Sequence, residues 1–144
     1  MPLIARFYRM GMNSERRTGD IWLLASHQGD ENYKSSVQQF NIRIPFQNKE
    51  GLNQQITFVS LPNIKLGVKS VALSASSSSE MPVYFYVQEG PAEVKDGKLV
   101  LNQIPPKSKF PVEVTVVAWQ YGRSDEPKVK TAEPAVKSFW IEKD

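Results

Sequence analysis

The residues with the most evident chemical potential lie in the string Ser-His-Gln-Gly-Asp-Glu at residues 26–31. This string contains His27, the only histidine of the chain, with Asp30 and Glu31 close behind it. An imidazole and two carboxylates at this spacing are the donor types of a metal site or of a general acid–base pair. Their role depends on the elements that hold them, which the rest of the sequence predicts.

A second copy of the same pattern occurs near the end of the chain, where residues 114–141 align with residues 21–42. The aligned pairs are Ala25 with Ala118, His27 with Gln120, Gly29 with Gly122, Val37 with Val136, Phe40 with Phe139, and Ile42 with Ile141. The amide of Gln120 hydrogen-bonds a loop backbone as an imidazole does, but it is not a general base. The repeat therefore predicts a structural role for His27 and assigns no catalytic residue.

No other stretch carries a catalytic or metal-binding pattern. Gly-x-Ser-x-Gly and glycine-rich phosphate loops are absent, and the serines at 76–79 have no base in the sequence to activate them. The pairs Asp30-Glu31 and Asp125-Glu126 follow the repeated glycine, but without the spacing of a calcium loop. The chain has no cysteine, which excludes disulfides and thiolate metal sites. We therefore predict no enzymatic activity, no metal and no cofactor.

Charge and hydropathy argue against nucleic acid and membrane as partners. The net charge is +3, and its densest basic stretch, Arg6, Arg9, Arg16 and Arg17, is interrupted by Glu15, as in a solvated loop. The longest apolar runs are too short to cross a bilayer, so no membrane insertion is expected. The N-terminus lacks a signal-peptide pattern, so the chain is either cytoplasmic or a piece of an exported protein.

The hydrophobic pattern predicts strands throughout. The segment Val-Tyr-Phe-Tyr-Val at residues 83–87 alternates, with Tyr84 and Tyr86 on the face opposite to Phe85, and several other segments do the same. Ten prolines and eight glycines fit many short strands joined by turns. No window of ten or more residues keeps a clean helical period. The predicted fold class is therefore all-β.

Eight short motifs occur in order over residues 54–141. They are Gln-Ile-Thr-Phe at 55–58, Leu-Pro at 61–62, the serine-rich stretch at 73–78, Pro-Val at 82–83, Gly-Pro-Ala-Glu-Val at 90–94, Gly-Lys-Leu at 97–99, the segment 114–122, and Ser-Phe at 138–139. In this order they resemble a bacterial immunoglobulin-like repeat that occurs in tandem in secreted and cell-surface proteins. The sequence departs from that repeat at Glu80-Met81, where a glycine is common, and in the proline-rich loop 104–111. The resemblance implies an immunoglobulin-like β-sandwich without catalytic activity, located outside the cell or on its surface.

The resemblance also implies a domain organisation. Residues 1–46 match only the last three strands of such a unit, residues 47–53 are a linker, and residues 54–144 are a complete sandwich. Residues Ser76 to Met81 then connect two strands inside the sandwich. A three-stranded antiparallel unit is marginal by itself, so residues 1–46 belong either to a preceding repeat or to a sandwich completed by a partner chain.

Alternation places four aromatic side chains on outward faces of predicted strands: Tyr84, Tyr86, Trp119 and Trp140. Such side chains pack against adjacent domains, cover a sheet, or stack on sugar rings. The leading hypothesis is a non-catalytic spacer or interaction module of a larger exported bacterial protein, in contact with adjacent domains of the same polypeptide or with a partner protein. The alternative is a carbohydrate-binding module that uses these four aromatics on a glycan. A third is a subunit completed by the strands of a partner chain.

Overall fold

The computed structural model describes residues 18–45 and 47–143, which divide into two compact units. We name them the hairpin unit (residues 18–47) and the main unit (residues 48–143). The strands are β1 Thr18–His27, β2 Ser36–Pro45, β3 Ile56–Phe58, β4 Ile64–Lys65, β5 Ser70–Ala72, β6 Ala75–Ser77, β7 Tyr84–Glu89, β8 Ala92–Lys95, β9 Lys98–Leu101, β10 Val112–Trp119 and β11 Ala135–Glu142. None of the described residues lies in a helix, so the all-β prediction is confirmed for them. No helix able to span a membrane occurs in this part of the chain.

The hairpin unit consists of β1 and β2, paired antiparallel along their whole length. Leu23 lies opposite Phe40, and Ile21 lies opposite Ile42. Because directly paired residues of an antiparallel ladder share a face, these four apolar side chains lie on one face of the hairpin. The first of the three strands predicted within residues 1–46 and the arginine-rich stretch lie outside the described residues.

The strands of the main unit form three sheets. The largest has the order β4-β11-β10-β7, in which β10 pairs antiparallel with β11 and β7, and β4 pairs parallel with β11. The others have the orders β5-β9-β8 and β3-β6, with antiparallel pairing. Several small antiparallel sheets in one unit are consistent with a β-sandwich.

One hydrophobic core joins these sheets. Its fully buried side chains include Val114 and Val116 of β10, Phe139 of β11 and Leu99 of β9. They alternate with residues of the opposite face because side chains in a strand point to the two faces in turn. The hydrophobic pattern of the sequence predicts six core positions: Val71, Leu73, Phe85, Val114, Val116 and Phe139. Four of them are buried in this core, and Leu73 and Phe85 pack against it while partly buried.

The serine-rich stretch lies inside the main unit, but its predicted boundaries were wrong. The sequence placed a strand end at Ala75 and a connection from Ser76 to Met81, whereas Ala75–Ser77 is strand β6 and pairs with β3. Serine favours turns because its hydroxyl bonds nearby backbone, and here the pairing with β3 outweighs that preference. The Ser77 and Ser79 hydroxyls both donate to the side-chain oxygen of Gln54, at 2.7 and 2.6 Å.

Glu80 has a left-handed backbone conformation, with φ of 61°, in the turn after β6. This conformation is unfavourable for a side chain with a Cβ, whereas glycine adopts it freely. We expect Glu80→Gly to raise the free energy of unfolding by about 0.5–1 kcal/mol, after the greater flexibility of glycine in the unfolded chain is subtracted. Urea denaturation measures the change. Ser74→Gly is the control, since Ser74 is exposed without a positive φ, and it should lower stability.

The predicted linker, residues 47–53, makes extensive hydrogen bonds within the main unit. The Asn48 main-chain N–H donates to Thr131 Oγ1 at 2.7 Å, and its side-chain amide donates to the carbonyls of Val129 and Arg123. Leu52 forms a parallel bridge with Val129. The chain therefore joins the main unit from Asn48 onward.

Candidate functional site

The turn after β1 uses the residues that were candidates for chemistry. The Gly29 N–H donates to His27 Nδ1 at 3.0 Å, and the N–H groups of Asn32 and Tyr33 both donate to Asp30 Oδ1 at 2.8 Å. His27 Nε2 lies 4.0 Å from Asp30 Oδ2. The imidazole and the carboxylate thus stabilise the turn by accepting hydrogen bonds from its backbone N–H groups. Polar side chains commonly have this role in loops.

The turn after β10 repeats this arrangement with an amide. The Gly122 N–H donates to Gln120 Oε1 at 2.8 Å, and Gln120 Nε2 donates to the carbonyl of Pro82. Gly29 and Gly122 have nearly the same φ, 90° and 93°, and a Cβ at either position would meet backbone atoms at 2.8 Å or less. The repeat predicts a structural role for His27, and the hydrogen bonds of the two turns match at this position.

The outward aromatics lie on one face of the β4-β11-β10-β7 sheet, opposite to the core. Tyr84 of β7 pairs with Trp119 of β10, and their ring centroids are 5.6 Å apart at an interplanar angle of 40°. Tyr86 follows on the same face, opposite Val117. Tyr84 is 52% exposed, and Trp119 and Tyr86 are partly buried. These three residues form what we call the aromatic patch (Tyr84, Tyr86 and Trp119).

Trp140 lies on the same face but away from the aromatic patch. Its partner across the ladder is Glu113, at the opposite end of β10 from Trp119. With a rise of about 3.3 Å per residue, the two tryptophans lie about 20 Å apart. The structure therefore brings together three of the four predicted site residues. Trp140, 40% exposed, is a separate surface feature.

The sheet face that carries the aromatic patch also includes Val117, Thr115 and Val136, which the sequence analysis did not single out. Val117 and Thr115 are buried although they point away from the core, and Thr115 Oγ1 lies 2.8 Å from Ser138 Oγ. Val136 pairs with Val117 and is half exposed. The sequence did contain a signal for this burial, namely the consecutive Val116 and Val117 in β10. A strand that is buried on both faces is apolar at consecutive positions.

A shallow cleft of about 460 Å³ lies at the end of the main unit where β11 finishes. Its lining includes the apolar Leu66, Val68 and Phe110 and the basic residues Lys69 and Lys143, with no acidic residue. Lys143 Nζ lies 6.0 Å from the centre of the Phe110 ring. The cleft thus offers apolar contact and positive charge, without a paired acid and base.

The perturbed titratable groups among the described residues form one surface pair. The hydrogen bond and charge of Lys128 lower the pKa of Glu50, and Glu50 in turn raises the pKa of Lys128. Their charged atoms are 2.7 Å apart at the exposed edge of the segment that begins the main unit. Such a pair is typical of surface structure. Within residues 18–45 and 47–143, no three His, Asp or Glu side chains converge to hold a metal ion.

No protein-family model, curated protein or solved structure matches this chain.

Proposed function

We propose that this chain is a non-catalytic immunoglobulin-like module, a spacer or interaction domain of a larger exported bacterial protein. The candidate residues His27 and Asp30 accept hydrogen bonds from turn backbone, which supports a non-catalytic role. Two kinds of feature support a modular role: the path of the chain through the main unit, and an aromatic patch on an outer sheet face. The exported location rests on the resemblance of residues 54–141 to repeats of secreted and cell-surface proteins.

The path of the chain is the observation that carries the spacer role. The main unit begins at Asn48, which is hydrogen-bonded to Thr131, just before β11. The Ala132 N–H donates to the carbonyl of Gln120, which fixes this segment at the end of the unit where β10 finishes. Strand β11 then runs to Glu142 at the other end. Eight residues at about 3.3 Å each separate the two ends by about 25 Å.

This separation is what a spacer requires, because a neighbour attached at each end is held apart by the length of the strands. The core contributed by β10 and β11 resists the relative movement of the two ends. Such a module acts by geometry alone and needs neither a cofactor nor a reacting group.

The spacer role predicts a fixed distance between the two ends. The chain has no cysteine, so Lys49→Cys and Lys143→Cys, both at exposed positions, allow two spin labels to be attached selectively. We expect one narrow distance distribution above about 25 Å by pulsed electron spin resonance. A control pair along the single strand β11, Val136→Cys with Lys143→Cys, calibrates the width. A broad distribution, or a maximum well below that distance, would contradict the spacer role.

Carbohydrate binding is the second candidate, and the aromatic patch favours it. Tyr84 and Trp119 present adjacent rings on a sheet face, and half of the Tyr84 surface is open to solvent. Aromatic faces of this kind stack on the apolar sides of sugar rings. Packing against a neighbouring domain uses the same surface, because amphipathic aromatics are enriched at protein interfaces.

Glycan binding is tested with a glycan array and affinity electrophoresis on plant, host and bacterial polysaccharides. If the patch binds sugar, Trp119→Ala should reduce affinity by ten-fold or more, since loss of a stacked ring removes about 1.5 kcal/mol or more. Trp140→Ala is the matched control, because Trp140 lies on the same face about 20 Å away. Absence of binding by the unsubstituted chain across all three glycan classes would reject this candidate and leave the spacer role untouched.

A further inference from the structure

The cleft at the end of the main unit where β11 finishes is lined by side chains of the hydrophobic core. Ile141 is 2% exposed and belongs to that core. Leu101, Ile104 and Phe110 also line the cleft and pack against the core while partly buried. Sites for small molecules have volumes of roughly 300–1,000 Å³ and mostly apolar linings, and this cleft has about 460 Å³. An apolar group that enters the cleft therefore contacts the edge of the core.

Backbone hydrogen bonds hold the walls of the cleft. The Leu66 N–H donates to the carbonyl of Glu142 at 2.8 Å. The Leu101 N–H donates to the carbonyl of Lys69 at 2.9 Å. A Cβ at Gly67 would meet no atom within 4 Å, so the lining is open at this residue. A ligand therefore enters a preformed space and bears little of the cost of ordering loops.

Positive charge surrounds this apolar lining. Lys69 and Lys143 line the cleft, and neither forms an ion pair in the part of the chain that the structure describes. The proline-rich loop that contributes to the lining adds Lys107 and Lys109 and contains no acidic residue. Glu142, next to Lys143 in the chain, is already paired with another lysine, at 3.2 Å. A cleft with charges of one sign attracts ligands of the opposite sign, so the complementary ligand is an anion.

We propose that this cleft binds an amphipathic carboxylate of the fatty-acid class, which is an aliphatic chain with one terminal carboxylate. The aliphatic chain contacts Leu66 and Val68, which are 47% and 40% exposed. The carboxylate pairs with the ammonium groups of Lys69 and Lys143. Burial of apolar surface provides the affinity, and the lysines orient the anion. This inference goes beyond the proposed function, because neither the spacer role nor the aromatic patch requires a ligand in this cleft.

The size and composition of the cleft favour such a small molecule. A standard protein interface uses roughly 20–30 residues on each side, whereas thirteen residues line this cleft. A neutral hydrocarbon would gain nothing from the lysines. A small polar anion would leave the apolar side chains in contact with water. A ligand with both an aliphatic chain and a negative charge uses the whole lining.

The proposal is tested by two-dimensional NMR of the isotope-labelled full chain. The probe is dodecanoate, added below its micelle-forming concentration. Amide signals of residues 66–69, 101–104 and 141–143 should shift and saturate with a dissociation constant below about 1 mM, the affinity typical of a ligand of this size.

Two related probes separate the contributions of the aliphatic chain and of the charge. Dodecyltrimethylammonium keeps the aliphatic chain and reverses the charge, whereas acetate keeps the carboxylate and lacks the chain. Each should bind at the cleft about ten-fold more weakly than dodecanoate, or weaker still, because each lacks one of the two interactions.

Removal of the two lysines tests the role of the charge. The double variant Lys69→Gln with Lys143→Gln should weaken dodecanoate binding by about ten-fold or more. It should also abolish the preference for dodecanoate over dodecyltrimethylammonium. The control variant, Lys34→Gln with Lys98→Gln, removes the same net charge at exposed positions outside the cleft and should retain both the affinity and the preference.

A charge on the apolar wall tests the aliphatic contact. Val68→Asp should eliminate the saturable shifts, because Val68 lines the cleft. Its side chain is 40% exposed, so the chain tolerates the substitution. Val59→Asp is the matched control, since Val59 is 56% exposed in the same unit and does not line the cleft.

Several results would each overturn the proposal. They are the absence of saturable shifts at the cleft, equal affinity for dodecanoate and dodecyltrimethylammonium, equal affinity for dodecanoate and acetate, and equal effects of the lysine substitutions and their control. Shifts confined to Tyr84, Tyr86 and Trp119 would assign the ligand to the aromatic patch and would also contradict it.

Discussion

Phe139→Ala should lower the free energy of unfolding of the main unit by about 3–5 kcal/mol, the usual range for a large buried aromatic side chain. Phe139 is the largest of the fully buried side chains and lies in β11 opposite Val114. Its removal leaves a cavity between β11 and the strands that face it, and the lost contacts are added to the lost transfer free energy. A small domain has roughly 5–15 kcal/mol in total, so the variant should be only marginally folded at 37 °C.

The measurement is urea denaturation monitored by circular dichroism, with the midpoint and the slope fitted separately. Val136→Ala is the matched control, because Val136 lies in the same strand on the outer face and is half exposed. It should change stability by well under 1 kcal/mol. Equal effects of the two substitutions would contradict the inner and outer faces assigned to β11.

Gln120→Ala should lower the free energy of unfolding by about 2–3 kcal/mol. The side chain is 5% exposed and connects two segments, since it accepts from the Gly122 N–H and donates to the Pro82 carbonyl. Truncation to alanine removes both of these part-buried hydrogen bonds and empties the buried space of the side chain. Each hydrogen bond contributes roughly 0.5–1.5 kcal/mol net, and the emptied space adds to the loss. The effect should therefore exceed that expected from the loss of a few methylene groups.

Gln120→His is the informative companion, because the hairpin unit already uses histidine at this position. An imidazole nitrogen should restore the bond to the Gly122 N–H, as His27 does for Gly29. We expect Gln120→His to lose less than half as much stability as Gln120→Ala in the same denaturation assay. If the two variants are equally unstable, the contact with Pro82 dominates and the correspondence between the turns has little energetic weight.

The core and the turn chemistry were predictable from the sequence because both depend on short-range patterns. Alternation along each strand predicted the core positions Val114 and Val116 in β10 and Phe139 in β11, and Gln120 at the position aligned with His27 predicted a structural role for that histidine. The grouping of the outward aromatics was not predictable in the same way. It depends on the register of β7 and β11 relative to β10. The pairing of β7 with β10 also includes an irregularity between Thr115 and Val116. Alternation gives the face of Trp119 and Trp140, but only the ladder shows that Trp119 meets Tyr84 and Trp140 does not.

Strand β6 shows the second limit of sequence reasoning. Its serines have the local preferences of a turn, and no local signal marks Ala75–Ser77 as extended. The pairing with β3 and the acceptor oxygen of Gln54, more than twenty positions away, determine the conformation. The aromatic patch and β6 are thus alike, since both are consequences of contacts between distant segments.

The opposite placement of Asn48 and Glu142 also restricts how a gene encoding this unit is rearranged. A domain whose termini are adjacent tolerates insertion into a loop of another protein and circular permutation. Here a permuted chain needs a linker of at least about eight extended residues to reconnect ends about 25 Å apart. Tandem duplication needs no such linker and produces a linear array, each copy adding about the length of β11.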